Sequence, residues 1–181
     1  SFVNSGGTYT AYAKAGNIDV TFWRNTSASD SEKTTKSYTY GGINQAFPAV
    51  GWQMAGYHMT GWGNNSYDKT AGYPLLCGVA NSWIESNRPS KNIYAVWQGN
   101  DIIEYDTGAS ATVKYSDAVT LPNQHMCIGW ILGEAYPDIK YTPGESIQVA
   151  DLCRILGIEY TDKAVIHMYA LWEHEPTIEA D

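Results

Sequence analysis

The chain has 181 residues, 44% of them hydrophobic and 17% charged, with a net charge of −8; that is apolar material enough for the core of one ordinary domain or two small ones. Fourteen Tyr, seven Trp and three Phe exclude a disordered acidic polymer, and no stretch approaches the roughly 18 consecutive apolar residues of a membrane span. Negative charge with scattered rather than clustered Lys and Arg argues against a nucleic-acid partner.

In chain order, the first element is Thr10-Ala11-Tyr12-Ala13-Lys14, a strand that follows Gly6-Gly7 and has no module of its own. A lone strand is unstable, so it is expected to pair back onto the chain or to join the sheet of a neighbouring molecule as a donated strand. An opening at Ser1 rather than Met is expected of a processed product. Next, Ile18-Asp19-Val20-Thr21-Phe22 and Ser37-Tyr38-Thr39-Tyr40 combine β-branched and aromatic residues with period-two alternation and read as strands. The polar run from Thr26 to Glu32 between them reads as an exposed hairpin loop, with a flexible binding loop as the alternative, and Tyr40-Gly41-Gly42 ends the second strand with residues that tolerate positive φ.

Further along, Leu75 to Ile84 carries a weak helical pattern interrupted by Gly78. Asn92-Ile93-Tyr94-Ala95-Val96-Trp97 is apolar on both faces, with Ile93, Ala95 and Trp97 on one and Tyr94 and Val96 on the other, as a central strand requires. Ala111-Thr112-Val113-Lys114-Tyr115 is another strand. Val149, Leu152, Cys153 and Leu156 then fall at helical spacing, with Ser146 placed to cap and Gly157 to terminate.

The chain repeats itself. Ile18 to Trp97 reads IDVTFW, a polar stretch, SYTYGG, FP, GYHMTGW, a long insert and NIYAVW; Asp101 to Trp172 reads DIIEYD, ATVKYSD, LP, QHMCIGW, a long insert and HMYALW. Gly61-Trp62 matches Gly129-Trp130 at an offset of 68, and Tyr94-Ala95 with Trp97 matches Tyr169-Ala170 with Trp172 at an offset of 75. Self-similarity of this kind marks tandem modules, here a first module over 18–97 and a second over 98–181 with an acidic tail. Tyr12-Ala13 stands where Tyr94-Ala95 does, so residues 1–17 read as the orphan strand of a preceding repeat. Charge divides with the modules: residues 18–97 hold six basic and five acidic side chains, residues 98–181 four basic and fourteen acidic. A few strands with one short helix laid across them is a compact α+β design of the β-grasp type, and Trp62, Trp97, Trp130 and Trp172 are expected in its cores.

These landmarks resemble the Listeria-Bacteroides repeat family, also called the internalin-type B repeat. The residues that carry the resemblance are Val20-Thr21-Phe22, Tyr40-Gly41, Phe47-Pro48, Gly56-Tyr57, Gly61-Trp62 and Tyr94 to Trp97, then Tyr115, Leu121-Pro122, Gly129-Trp130 and Tyr169 to Trp172. The long inserts, and Gln124 standing where the first copy has Gly56, depart from it. The resemblance implies two ubiquitin-like β-grasp modules of a bacterial cell-surface or extracellular protein, serving as stalk or adhesion units, with other copies or neighbouring repeats as partners and neither catalytic residues nor a cofactor. A phage virion is the alternative setting, and an adhesin that binds a surface glycan or receptor the alternative role.

Little else points to chemistry. Cys77, Cys127 and Cys153 form no C-x-x-C and sit among apolar neighbours, so they read as small buried hydrophobes with at most one bridge. His58-Met59, His125-Met126 and His167-Met168 offer copper-ligand types, but neighbours on a strand point to opposite faces and cannot chelate one ion. His125 and Cys127, two apart on one strand face, read as packing rather than a catalytic dyad. Asp101, Glu104, Asp106 and the acidic residues of the tail offer at best weak calcium binding, without the calcium-loop pattern. Asn25-Thr26-Ser27 and Asn64-Asn65-Ser66 match glycan sequons and read as polar loops. Trp23, Trp52 and Trp83 stand outside the repeated landmarks, and an exposed one among them is the candidate for stacking on a sugar ring.

Overall fold

The structure, a computed structural model, describes residues 16–174. The expected strand at Thr10 to Lys14 and the end of the acidic tail lie outside the described residues. The described residues divide into two compact units: 16–52 together with Thr60–Val96, and Gln53–Met59 together with 97–174.

The first unit holds β1 (Asn17–Trp23), β2 (Lys33–Thr39), α1 (Asn81–Asn87) and the greater part of β3 (Tyr57–Gly63, from Thr60) and of β4 (Ser90–Gly99, to Val96), in a sheet ordered β2-β1-β4-β3. β1 and β2 form an antiparallel hairpin, and β4 returns to lie parallel to β1, with Phe22 beside Ile93 and Trp23 beside Tyr94. Alternation along β1 buries Ile18, Val20 and Phe22 and turns Asp19, Thr21 and Trp23 outward. β4 is the central strand its two apolar faces require, with Ile93, Ala95 and Val96 buried. Trp62 anchors the core, its ring 5.0 Å from Phe22 and 5.9 Å from Trp52. Its indole N–H donates to the Leu75 carbonyl at 2.9 Å, which satisfies the one polar atom the ring carries inside.

The second unit contains β5 (Asp101–Tyr105), β6 (Ser110–Val113), β7 (Ala118–Thr120), β8 (Cys127–Ile131), β9 (Lys140–Tyr141), β10 (Ser146–Gln148), α2 (Val149–Leu156) and β11 (Val165–Trp172). The main sheet is ordered β6-β5-β11-β8-β9, and β10 pairs with β7 in a small second sheet. Again the first two strands form an antiparallel hairpin, and the last strand lies parallel to the first. Trp130 repeats the role of Trp62: its ring lies 5.0 Å from Tyr105, and its N–H donates to the Pro122 carbonyl at 3.0 Å. The fold is thus β-rich with two helices and mixed sheets, an α+β architecture in which each unit places its helix just before its closing strand.

Several local expectations are revised. α1 begins after Ala80 rather than at Leu75, because residues 77–79 are held extended: Phe47 N donates to the Cys77 carbonyl and Val79 N to the Gln45 carbonyl, both at 2.8 Å. α2 ends on Gly157 with φ 70°, as its sequence indicates, but Ser146 does not cap it. Ser146 pairs with Thr120, and the Asp117 carbonyl takes the Val149 N–H instead. Trp97 is half-buried, and Trp172 is 45% exposed because the β11–β8 register shifts between Leu171 and Trp172 and breaks the alternation there. Of the cysteines Cys153 alone is buried; all three are free thiols, Cys77 and Cys127 half-buried.

Candidate functional site

The first unit presents a polar outer sheet face. Across β2, β1 and β4 the outward rows read Ser37, Asp19, Ser90; then Thr35, Thr21, Asn92; then Lys33, Trp23, Tyr94. Two aromatic rings therefore sit side by side at the end of an otherwise hydrophilic surface. The Trp23 indole is held in place: its N–H donates to Asn92 Oδ1 at 3.0 Å, and the Lys33 ammonium lies 4.7 Å from the ring centroid.

Above this pair stands the hairpin loop between β1 and β2, which is a braced structure. Arg24 meets Asp30 with two parallel hydrogen bonds of 2.9 Å. Thr26 adds its backbone N–H at 3.0 Å and its hydroxyl at 2.6 Å, and the Glu32 N–H donates to the other carboxylate oxygen at 3.1 Å. The Arg24 guanidinium, helped by Thr26, holds the Asp30 carboxyl far below the usual carboxylate range. Asn25 takes a left-handed φ of 58°, which Asn tolerates better than most residues. That turn lets its amide donate to the Ser66 and Ala95 carbonyls at 2.9 and 3.0 Å, tying the loop to a second turn and to β4. With its amide spent inward, Asn25 is bound into the fold rather than presented as a glycan acceptor.

Between the rings and the loop lies a cleft of about 330 Å³ lined by Trp23, Tyr94, Asn25, Ser27, Ala28, Asp30 and Ser66. Trp23 is thus the sequence-flagged tryptophan that borders a polar cleft. Trp52 and Trp83 are not brought to it: Trp52 packs on Trp62, and Trp83 packs on Phe47 at 5.5 Å while donating to the Tyr73 hydroxyl at 3.2 Å. In the sequence Tyr94 reads as a central-strand residue and Asn25 and Ser66 as sequon positions in polar loops, none of them as part of a site, although the alternation along β4 already turns Tyr94 away from Ile93 and Ala95.

The other candidate groups stay apart. Asp101 is fully buried and accepts from the Ala164 N–H at 3.0 Å and, more loosely, from the Cys153 thiol at 3.6 Å; Asp106 takes the Ala170 N–H on both oxygens at 3.1 Å. Glu104 lies 3.5 Å from His167, so the three carboxylates face different partners. Burial raises the Asp101 carboxyl and pushes the Cys153 thiol up to about 12, the nearby carboxylate adding to the latter. A thiol so placed is a poor nucleophile. His125 belongs to a turn before β8, where Met126 has φ 67°, so it shares no strand face with Cys127. Among the described residues no group of three or more His, Cys, Asp or Glu side chains is arranged to hold a metal, and no helix is long and apolar enough to cross a membrane.

The chain matches no protein-family model and no curated protein.

Proposed function

We propose that this chain is a non-catalytic structural module of a bacterial extracellular or cell-surface assembly, a stalk or filament subunit made of two tandem β-grasp modules of the Listeria-Bacteroides repeat type. Support comes from the strand orders β2-β1-β4-β3 and β6-β5-β11-β8-β9, which set the last strand of each unit beside its first. The single observation that carries the reading is that this central pair is parallel in both units. When the start of β1 and the end of β4 are pulled apart, a parallel pair resists in shear, with its inter-strand hydrogen bonds strained together rather than one at a time. That property suits an element standing in series between a surface and whatever it carries. Stretching the protein by its two ends tests the reading: two separate unfolding steps, one per module, are expected, and a smooth extension without steps contradicts it.

Residues 10–14 enter this proposal as an assembly strand. The central positions of both sheets are filled by β4 and β11, so a donated strand has only edges to join. Of the four edges, β2 carries Lys33 and Lys36 and β9 carries Lys140, which discourage pairing, and β3 is already bridged at Trp62 by Tyr73, whereas β6 (Ser110–Val113) is uncharged and is the edge best suited to accept it. Removing residues 1–15 is expected to abolish self-association in size-exclusion chromatography; an unchanged elution profile contradicts strand donation. The second reading, an adhesin of a surface or virion fibre, is favoured by the cleft beside Trp23.

A further inference from the structure

We propose that the cleft between Trp23 and Tyr94 is a carbohydrate-binding site for a neutral β-linked pyranose of gluco configuration. The proposal does not rest on the stalk reading, since a stalk module and a bare monomer present the same face.

The chemistry of the lining narrows the ligand. Among the described residues Asp30 is the only charged one that lines the cleft, and it is fully engaged by Arg24, Thr26 and Glu32, its side chain 4% exposed. It has no lone pair to spare for a cation and leaves no net charge to attract an anion. What the cleft does offer is uncharged: Asn25 Oδ1, left as an acceptor once the amide hydrogens are spent on Ser66 and Ala95, and the hydroxyls of Ser27 and Ser66. Neutral donors and acceptors set around two aromatic rings match a ligand that has hydroxyls at its rim and an apolar face. A pyranose with every substituent equatorial has such faces, because its axial C–H bonds point up and down from the ring and meet the negative face of an indole or phenol.

The geometry is suited to it. Lys33 lies over one face of the Trp23 indole and does not line the cleft, so the ring borders the cleft with its remaining surface. The hydrogen bond to Asn92 fixes the tilt of the indole, and the Asp30 and Asn25 contacts fix the loop, so little ordering is left to be done on binding. A volume of about 330 Å³ stands at the small end of ligand sites, which span about 300–1,000 Å³, and fits one ring of a longer glycan chain.

The test is a titration of the full chain, labelled with nitrogen-15, with methyl β-D-glucopyranoside, with cellotetraose and with mannitol, followed through the indole N–H resonances. The expected result is a saturable shift of the Trp23 indole signal with both sugars and none with mannitol, an open polyol with hydroxyls but no ring face. Trp23→Ala, read through backbone signals of residues 25–28 and 66, and Ser27→Glu, which places a charge in the cleft from an exposed loop position, are each expected to weaken binding at least tenfold. Ser27→Glu touches no buried atom and keeps the question open to an answer if Trp23→Ala fails to fold. No saturable shift with either sugar up to tens of millimolar, equal shifts with mannitol, or shifts centred on other indoles would each overturn the proposal.

Discussion

Phe22 meets Trp62 edge to face, with ring centroids 5.0 Å apart and planes at 66°, and Tyr105 meets Trp130 at 5.0 Å and 64° in the second unit. In each case a first-strand aromatic packs on the indole of the third long strand, and the indole N–H is closed off by a loop carbonyl. In both units, then, an aromatic ring covers the indole at the same distance and nearly the same tilt. Trp62→Ala and Trp130→Ala are each expected to destabilise their own unit by about 3–5 kcal/mol, the usual result of emptying a large aromatic site. Urea titration checks this; a loss below about 1 kcal/mol in either would mean that the indole does not anchor that core.

The glycines beside these tryptophans look equivalent in sequence and are not. A Cβ on Gly61, which has φ 158°, would collide with the backbone carbonyl of Tyr73, whereas the atoms nearest to one on Gly129 belong to the flexible side chain of Lys140. Gly61→Ala is therefore expected to cost about 1–3 kcal/mol as an overpacked backbone contact, and Gly129→Ala clearly less. Thermal melts of the two variants compare them directly; equal losses would contradict the distinction.

Acid titration separates two carboxylates. Asp30 titrates below its ordinary value of 3.8, so its contribution to stability is complete above that value and is lost as pH falls toward its own lower one. Asp101 titrates above 3.8, so the folded state holds its proton more tightly and its contribution declines as pH rises from 3.8 through the raised value, then stays level. Asp30→Asn is expected to flatten the acid limb of the stability curve. Asp101→Asn keeps an acceptor for the Ala164 N–H and is expected to match or exceed the wild type at neutral pH, the difference closing on acidification. Parallel acid limbs for wild type and Asp30→Asn would contradict the first assignment.

The thiols differ in reach. Cys153 is buried with its thiol pushed up to about 12, while Cys77 and Cys127 are half-buried. Alkylation of the native protein at mildly basic pH is expected to spare Cys153 until the second unit unfolds, since the thiolate is the reactive form. Mass spectrometry of labelled peptides reads this, and rapid native labelling of Cys153 would contradict its placement.

Much of this was legible in the residues because it follows from alternation. The two-faced apolar run around Tyr94 announces a central strand, and the spacing from Val149 to Leu156 with Gly157 behind it announces α2. What stayed hidden depends on long-range pairing. Leu75 to Ile84 carries helical spacing, yet residues 77–79 are drawn extended by Gln45 and Phe47; Trp172 occupies the place of Trp97 in the repeat, yet a register shift turns it outward. The cleft was half visible: Trp23 stood outside the repeated landmarks, but Tyr94 reaches its side only because β4 returns parallel to β1, and Asn25 closes the wall only through a left-handed turn.

The most direct test of the proposed stalk role compares two pulling directions on the first unit. Tension applied from the start of β1 to the end of β4 strains their parallel contact in shear, whereas tension from Asn17 to Thr39 unzips the antiparallel hairpin one pair at a time. Single-molecule stretching is predicted to give a clearly higher unfolding force in the first direction than in the second. Equal forces in both directions would contradict a fold built to carry load along its chain.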